Sequence, residues 1–137
     1  MKKSFSIVFA ILMFGALVLS ACGGGATADT PNVPAPYAGQ TNPLGSDAAA
    51  AGKTIYDVQC ASCHGDSGKG DGPAGQALTP PAANLVESVA KYEDDYLHYR
   101  IAEGGAMDPY NSSMPAFKNV LSDDEIWQVV AHMNTFK

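Results

Sequence analysis

The sequence predicts an all-α domain over residues 46–137, preceded by a segment without regular structure. Three stretches of that domain carry helical signals, at 47–58, 93–103 and 123–135. No stretch alternates between apolar and polar side chains with a period of two, so we expect no β-sheet. Residues 22–45 show neither period and contain four prolines, which favour extended backbone, and they predict a flexible linker.

The first predicted helix begins after Ser46, whose hydroxyl suits an N-cap position, and it ends at Val58, two residues before Cys60. Gly52 and Tyr56 lie four residues apart and therefore share one face of it. The second predicted helix opens with three acidic residues, which favour a helix N-terminus, and stops at a Gly-Gly pair. Leu97 and Ile101 mark its buried side.

The third predicted helix has the clearest boundaries. Ser122, followed three positions later by Glu125, has the pattern of a capping box. An apolar stripe with Trp127 at its edge indicates the face that packs on the core. The stripe consists of Ile126, Val129, Val130 and Met133. His132 falls on the polar side and is expected to be solvated, whereas His98 in the second helix is expected to be partly buried without binding a metal.

A Cys-x-x-Cys-His run at residues 60–64 carries the strongest chemical signal in the chain. Two thiols three positions apart can add to the two vinyl groups of one porphyrin, and the next residue can bind the iron. This pattern assigns Cys60 and Cys63 to covalent attachment of one haem c, and His64 to the proximal iron site. A thioredoxin-like site is disfavoured because no helix starts after the motif, and a zinc site because the other histidines stand alone.

The N-terminus has the features of a bacterial lipoprotein signal. Two lysines precede an apolar run that is short for a membrane-spanning helix. That run ends in Leu-Ser-Ala-Cys, which is similar to a lipobox and implies diacylation of the Cys22 thiol. We therefore expect a signal peptide over 1–21 and a lipid-anchored linker over 22–45. Alternatively, the linker wraps onto the domain, since Tyr37 and Leu44 could anchor it.

Taken together, these features resemble class I cytochrome c over residues 46–137. The segments that carry the resemblance are Gly52 and Tyr56, the motif with Gly65, the glycine-rich run 68–73, Pro80 and Pro81, residues 99–105, the Met-Pro-Ala-Phe segment at 114–117, and the capped helix start at 122–127. The resemblance implies a cytochrome c fold with three main helices around one covalent haem. It also implies that the first and last helices cross closely at Gly52, which would face Trp127 or Val130.

Two methionines compete for the second axial position on the iron. Met-Pro-Ala-Phe matches the ligand segment of the family, which implies that Met114 is the ligand. Pro115 stiffens the loop behind it, and a rigid support suits a ligand. Met107 follows the second predicted helix and is expected to be a bystander. A neutral thioether opposite His64 favours ferrous iron and raises the reduction potential.

Other residues near the motif have predicted supporting roles. Pro80 or Pro81 could place a backbone carbonyl on the second ring nitrogen of His64 and so fix its tautomer. Arg100 could pair with a haem propionate or, equally, with Glu103 on the helix surface. The glycines of the run before these prolines would let the backbone pass close to the ring.

Charge indicates the kind of partner. The chain has 14 acidic and 8 basic residues, and loss of Lys2 and Lys3 with the signal peptide leaves 14 against 6, a formal charge of −8. Such a surface excludes nucleic acid as a partner and is repelled by anionic lipid headgroups. It favours redox partners with basic docking patches.

The predicted function is electron transfer rather than catalysis. We expect a lipid-anchored monohaem cytochrome c that carries single electrons between redox partners at the extracytoplasmic face of a bacterial membrane. The alternative is a fixed subunit, since the chain is also similar to the lipoprotein monohaem subunits of quinol-oxidising respiratory or photosynthetic assemblies such as alternative complex III. A ligand sensor or peroxidase-like enzyme would need an open iron position, and Met114 argues against one.

Overall fold

The fold was analysed in a computed structural model, which describes residues 31–107 and 109–136. The predicted helices are α1 (Ala49–Gln59), α5 (Asp94–Glu103) and α6 (Asp123–Met133). Three short helices accompany them, α2 (Ala61–His64), α3 (Pro73–Gln76) and α4 (Leu85–Lys91), and one turn of 3-10 helix, Ser46–Ala48, precedes α1. None of the described residues forms a β-strand, so the prediction of an all-α fold is confirmed.

The predicted signal peptide over 1–21, the lipidated Cys22 and the linker up to residue 30 lie outside the described residues. Within 31–107 and 109–136, no helix has both the length and the apolar character needed to cross a bilayer.

The ends of α5 and α6 follow from their sequences. At the start of α6 the Ser122 hydroxyl accepts a hydrogen bond from the Glu125 N–H at 3.3 Å, and the Glu125 carboxylate accepts one from the Ser122 N–H at 2.7 Å. The predicted capping box is therefore confirmed. At the end of α5, Gly104 has a φ of +74°, a backbone conformation that side chains with a Cβ rarely adopt.

The closest helix contact is the crossing of α1 with α6. A Cβ atom at Gly52 would overlap the carbonyl oxygen of Gln128 and reach the Val129 nitrogen at 3.0 Å. The crossing lies at Gly52 as predicted, but glycine faces the backbone of these two residues rather than Trp127 or Val130. Contact between two backbones requires a residue without a side chain at this position.

The hydrophobic core lies between α1, α5 and α6. Leu97 and Ile101 are buried as predicted, and so is the stripe of α6. Trp127, which was expected at the edge of the stripe, is only 2% exposed. The face of α6 that packs on the core is therefore wider than the predicted stripe and includes Trp127.

An N-terminal strap, residues 33–44, covers one side of α5 and α6. Val33, Tyr37 and Leu44 pack against the core cluster, and the Tyr37 ring lies 5.3 Å from the ring of Tyr99. The prediction of a flexible linker over 22–45 is therefore wrong for the strap. The alternative, anchoring through Tyr37 and Leu44, is what the structure shows, because burial of aromatic and apolar side chains can order a segment that has no regular structure.

Three hydrogen bonds tie the strap to both helices. The Tyr37 hydroxyl donates to the Glu103 carboxylate at 2.6 Å, and the Gly39 N–H donates to the Asp95 carboxylate at 2.7 Å. The side-chain amide of Asn42 donates to the backbone carbonyl of Trp127 at 2.8 Å. Burial and the bond to Glu103 raise the pKa of Tyr37 to about 12, so its hydroxyl remains a donor at neutral pH.

Both described histidines outside the motif are buried. His98 is 2% exposed, stacks on Trp127 at 4.2 Å, and has a ring nitrogen 3.0 Å from an Asp123 carboxylate oxygen. Its expected burial is confirmed. His132 is only 8% exposed and lies 5.2 Å from the ring of Tyr56, so the prediction of a solvated histidine is wrong. The face of α6 that looked polar in sequence is covered by α1.

Gly52→Ala should destabilise the haem-loaded protein by about 2 kcal/mol or more. Alanine favours a helix over glycine by about 1 kcal/mol, but the added Cβ meets backbone that cannot rotate away, so α1 and α6 must separate. Guanidinium unfolding followed by far-UV circular dichroism measures the change. Thr54→Ala, at an exposed position of the same helix, is the control and should change the free energy little. Equal stability of the two variants would contradict the close crossing.

His98 should make the protein less stable in mild acid. Burial lowers the pKa of His98 in the folded state, and Asp123 opposes this shift. The neutral ring therefore contributes its full stabilisation above the unfolded pKa of about 6.5. This stabilisation is lost as the pH falls from that value toward the lower folded pKa. His98→Gln should reduce the loss of unfolding free energy between pH 8 and pH 5. Burial also lowers the pKa of His132, so part of the slope should remain. An unchanged slope would show that His98 is not buried neutral.

Candidate haem-binding site

The Cys-x-x-Cys-His motif begins where α1 ends and forms a single helical turn. The Cys60 N–H still donates to the Tyr56 carbonyl at 2.9 Å, and the Cys60 carbonyl accepts from the His64 N–H at 2.9 Å. The turn stops at Gly65, whose φ is +80° and whose carbonyl accepts a hydrogen bond from the Tyr56 hydroxyl at 2.7 Å. The buried Tyr56 thus binds the backbone at both ends of the motif.

Beside the motif lies a cleft of about 540 Å³. Its lining includes Cys60, Cys63, His64, Pro80, Pro81, Arg100, Tyr110, Met114 and Phe117. A second cavity of about 310 Å³ shares several of these residues and extends between the core side chains Leu97, Ile101, Val129 and Met133. The structure therefore brings the predicted attachment residues and Met114 to one largely apolar space.

The orientation of His64 is set by a backbone carbonyl. Its Nδ1 donates to the carbonyl oxygen of Ala83 at 2.9 Å, which leaves Nε2 free for the cleft. The predicted partner, Pro80 or Pro81, is therefore wrong by two or three residues. This partner could not be predicted from the sequence, because every residue has a backbone carbonyl and no residue pattern marks the one that is used. Burial lowers the pKa of His64, which favours the neutral imidazole that binds metals.

The glycine-rich run packs on the backbone of the motif and of the segment that precedes α4. A Cβ at Gly72 would meet the Cys63 carbonyl oxygen at 2.6 Å, and a Cβ at Gly70 would approach the Ala82 carbonyl oxygen at 2.7 Å. In addition, the Leu85 N–H donates to the Gly68 carbonyl at 2.6 Å. These contacts hold the Ala83 carbonyl against His64, so the glycines act on the histidine through the backbone.

Met114, and not Met107, reaches the cleft. Met114 lines both cavities, and its carbonyl accepts from the Gly105 N–H at 2.9 Å, while the Phe117 N–H donates to the Ile101 carbonyl at 3.1 Å. These bonds fix the loop to the end of α5. Met107 lines neither cavity, and its sulfur lies 3.6 Å from the Arg100 guanidinium.

Arg100 faces the cleft and does not pair with Glu103. One of its terminal nitrogens donates to the Gly104 carbonyl at 2.6 Å, and the guanidinium lies 3.5 Å above the ring of Tyr110. Glu103 instead pairs with Lys118 at 2.6 Å and with the Tyr37 hydroxyl. The helix-surface salt bridge is thus excluded, and the guanidinium is held at the wall of the cleft by α5 and an aromatic ring.

Cys60 and Cys63 form no disulfide, and the Cys60 thiol is not activated as a thiolate. Burial, and to a lesser degree the neighbouring Cys63, raises the pKa of Cys60 to about 11. A thioredoxin-like site requires the opposite shift, because the thiolate is the nucleophile. Nor do His, Cys, Asp and Glu residues of the described chain form a cluster that could hold a metal ion alone.

A covalently attached porphyrin fits the residues of this cleft. Two thiols lie on one helical turn, a neutral imidazole nitrogen and a thioether face the same space, and the walls are mainly apolar. Among the described residues, Arg100 is the one permanently charged side chain in the lining of the larger cleft. Its guanidinium suits a carboxylate group of the porphyrin.

An all-α fold with this motif and cleft defines a c-type haem protein. A sequence model of the family described as Cytochrome c matches residues 49–137, and the chain belongs to the cytochrome c family. Haem c, bound covalently, is therefore its cofactor. The match begins at the first residue of α1 and includes the whole site.

Relatives of known name support this assignment. Cytochrome c-554(547) of Halothiobacillus neapolitanus is 67% identical over 91 residues, which are 65% of this chain and 97% of that protein. Thiosulfate dehydrogenase of Stutzerimonas stutzeri (strain A1501) is 36% identical over 94 residues, 68% of this chain. The matched region is only 29% of the length of that enzyme.

A solved structure shows the same fold. A chain of the reducing HAO-like protein complex of Kuenenia stuttgartiensis aligns with a TM-score of 0.53 and 24% sequence identity. The alignment covers 66% of this chain and 44% of that chain.

Proposed function

We propose that this cytochrome c is a lipid-anchored, low-spin carrier of single electrons between redox proteins on the extracytoplasmic face of a bacterial membrane. Membership of the family supports electron transport in general. The observation that carries the finer proposal is the presence of His64 and Met114 at the same cleft. With His64 and Met114 as its two axial ligands, a bound haem would have no open iron position and would supply one-electron transfer without binding a substrate.

Cys60 and Cys63 form the thioether bonds, and His64 and Met114 are the axial ligands in this proposal. The bound haem supplies one-electron chemistry, and the chain supplies position and surroundings. The Ala83 carbonyl keeps the His64 proton on Nδ1, so Nε2 points into the cleft. The loop bonds at Gly105 and Phe117 hold Met114 in place, which limits rearrangement when the electron arrives.

The same two ligands make the chain a carrier rather than an enzyme. Some relatives are named as dehydrogenases, but the chain corresponds to less than a third of thiosulfate dehydrogenase. A cytochrome c domain in such an enzyme can serve its electron transfer while the reaction takes place elsewhere. The cleft of this chain needs no catalytic side chain for that role.

Met114→Ala should abolish the weak far-red absorption band of the ferric protein, which arises from methionine–iron bonding, and lower the reduction potential. Met107→Ala is the matched control, because Met107 lines neither cavity, and it should retain the band. Absorption spectroscopy and a potentiometric titration measure both effects. Loss of the band in Met107→Ala alone would reverse the assignment.

The membrane anchor is proposed at Cys22, on the strength of the Leu-Ser-Ala-Cys segment. The strap packs on the domain from residue 33 onward. The segment between the anchor at Cys22 and the domain is therefore shorter than the predicted linker of residues 22–45. The eleven residue steps from Cys22 to Val33 span at most about 40 Å in any conformation. The acidic surface favours partners with basic docking patches, and it keeps the domain off anionic lipid headgroups.

Cys22→Ala should move the protein from the membrane fraction to the soluble fraction with its haem still attached, because lipid and porphyrin use different thiols. Cell fractionation and acid–acetone extraction measure the two properties separately. Haem that extracts from this variant would show that Cys22 takes part in attachment. A variant that stays in the membrane without other subunits would remove the lipid anchor from the proposal.

A fixed subunit of a quinol-oxidising complex is the second candidate. The docked strap favours it, because a short anchor restricts the distance over which a shuttle can travel. Extraction with a mild detergent separates the two. A stoichiometric complex that survives purification supports the subunit, whereas a monomeric cytochrome that exchanges electrons in a salt-dependent second-order reaction supports the shuttle.

A further inference from the structure

The segment that carries Met114, residues 114–118, lies along the C-terminal end of α5. The Lys118 N–H donates to the Ala102 carbonyl at 3.1 Å, next to the bond already described for Phe117. A Cβ atom at Gly104 would lie 2.7 Å from the Met114 carbonyl oxygen, so the two backbones are in contact. The position of the Met114 segment therefore depends on the end of α5.

Glu103, the last residue of α5, bonds to two other parts of the chain. One oxygen of its carboxylate accepts a hydrogen bond from Lys118 Nζ at 2.6 Å, and the other accepts one from the Tyr37 hydroxyl at 2.6 Å. The bond from Lys118, and then that from Tyr37, hold the pKa of Glu103 below its usual value, which keeps the carboxylate ionised. One carboxylate thus joins the strap to the Met114 segment.

The Tyr37 ring fixes the direction of its hydroxyl. The ring centre lies 5.3 Å from that of Tyr99 and 5.7 Å from that of His98, so two side chains of α5 hold the ring. The side chains of Lys118 and Glu103 are 47% and 25% exposed, and an ion pair with that exposure is weak on its own. A fixed donor on the second oxygen restricts the rotamers of the carboxylate and so keeps it on Lys118.

We propose that Tyr37 is a positioning residue for the Met114 thioether, and that it acts through the Glu103 carboxylate and Lys118. This inference rests on the proposed function, in which Met114 is an axial ligand. A ligand on a rigid segment is harder to displace, because the segment cannot move away at low cost. The strap lines neither cavity, yet in this way it contributes to the retention of the ligand.

Tyr37→Phe tests this role in the haem-loaded protein, because it removes the hydroxyl and keeps the ring. Asn42→Ala is the matched control, since it removes a different hydrogen bond of the strap, to the Trp127 carbonyl, and leaves Glu103 untouched. Imidazole titration of the ferric protein, followed by loss of the far-red band, measures how easily Met114 is displaced. Native-state hydrogen exchange of the backbone amides at 117 and 118 measures the opening of the segment itself.

Tyr37→Phe should bind imidazole more tightly by about threefold or more, because a hydrogen bond to a charged group is lost from the support of the segment. The two amides should exchange faster by a similar factor. Asn42→Ala should match the original protein in both measurements. Equal changes in the two variants would overturn the proposal in favour of a general bracing effect of the strap, and unchanged values in Tyr37→Phe would overturn it outright.

Lys118→Ala interrupts the same chain of bonds from the other side and should also tighten imidazole binding. In the double variant with Tyr37→Phe, the combined effect should be smaller than the product of the two single effects, because both act through Glu103. A full product would show that Tyr37 does not act through this carboxylate. Absence of the far-red band from the original protein would contradict the proposed function, whereas a normal band with unchanged imidazole affinity in Tyr37→Phe would contradict the role of Tyr37 alone.

Discussion

The backbone contact between α1 and α6 is the constraint on which the rest of the structure depends. It places the end of α1, and therefore Cys60, at a fixed distance from the core side of α6. Tyr56, which is fully buried next to the crossing, then bonds to the backbone on both sides of the motif. The helix packing therefore fixes the orientation of Cys60, Cys63 and His64, the three motif residues that line the cleft.

The cofactor is also part of the core. Side chains that belong to the hydrophobic cluster, including Ile101, Val129 and Met133, line the inner cavity. A domain of this size has a small core of its own, and a covalent porphyrin in that space adds apolar surface that cannot diffuse away. Haem binding therefore contributes to folding, because the porphyrin adds to the small hydrophobic core of a short domain.

Sequence patterns predicted the parts of the fold that depend on local chemistry. The capping box at Ser122 and the haem motif each have a physical cause confined to a few residues, whereas the helix crossing at Gly52 was implied by the resemblance to class I cytochrome c. Ala83 was missed because its role belongs to a backbone carbonyl, and any residue at that position has one. The short helix α4 was missed although Asn84 caps it through a hydrogen bond from the Val86 N–H.

The errors have the same origin in tertiary packing. The periodicity of α6 alone predicts a solvated His132, but in the fold α1 covers that face of the helix. The prolines of the strap exclude regular structure and predict a linker, but irregular backbone can still be ordered by anchoring side chains. The burial of His132 and the ordering of the strap both depend on a second segment that packs beside them, and not on their own sequence alone.

The strap also decides how the domain responds to mechanical load. A pull on the chain ahead of residue 31 is transmitted first to Glu103, Asp95 and Trp127, through the hydrogen bonds of Tyr37, Gly39 and Asn42. These three bonds lie on α5 and α6 and share the force along the strap. Because α1, the helix that leads to Cys60, follows the strap in the chain, a pull from the N-terminal side loads these bonds before it loads α1.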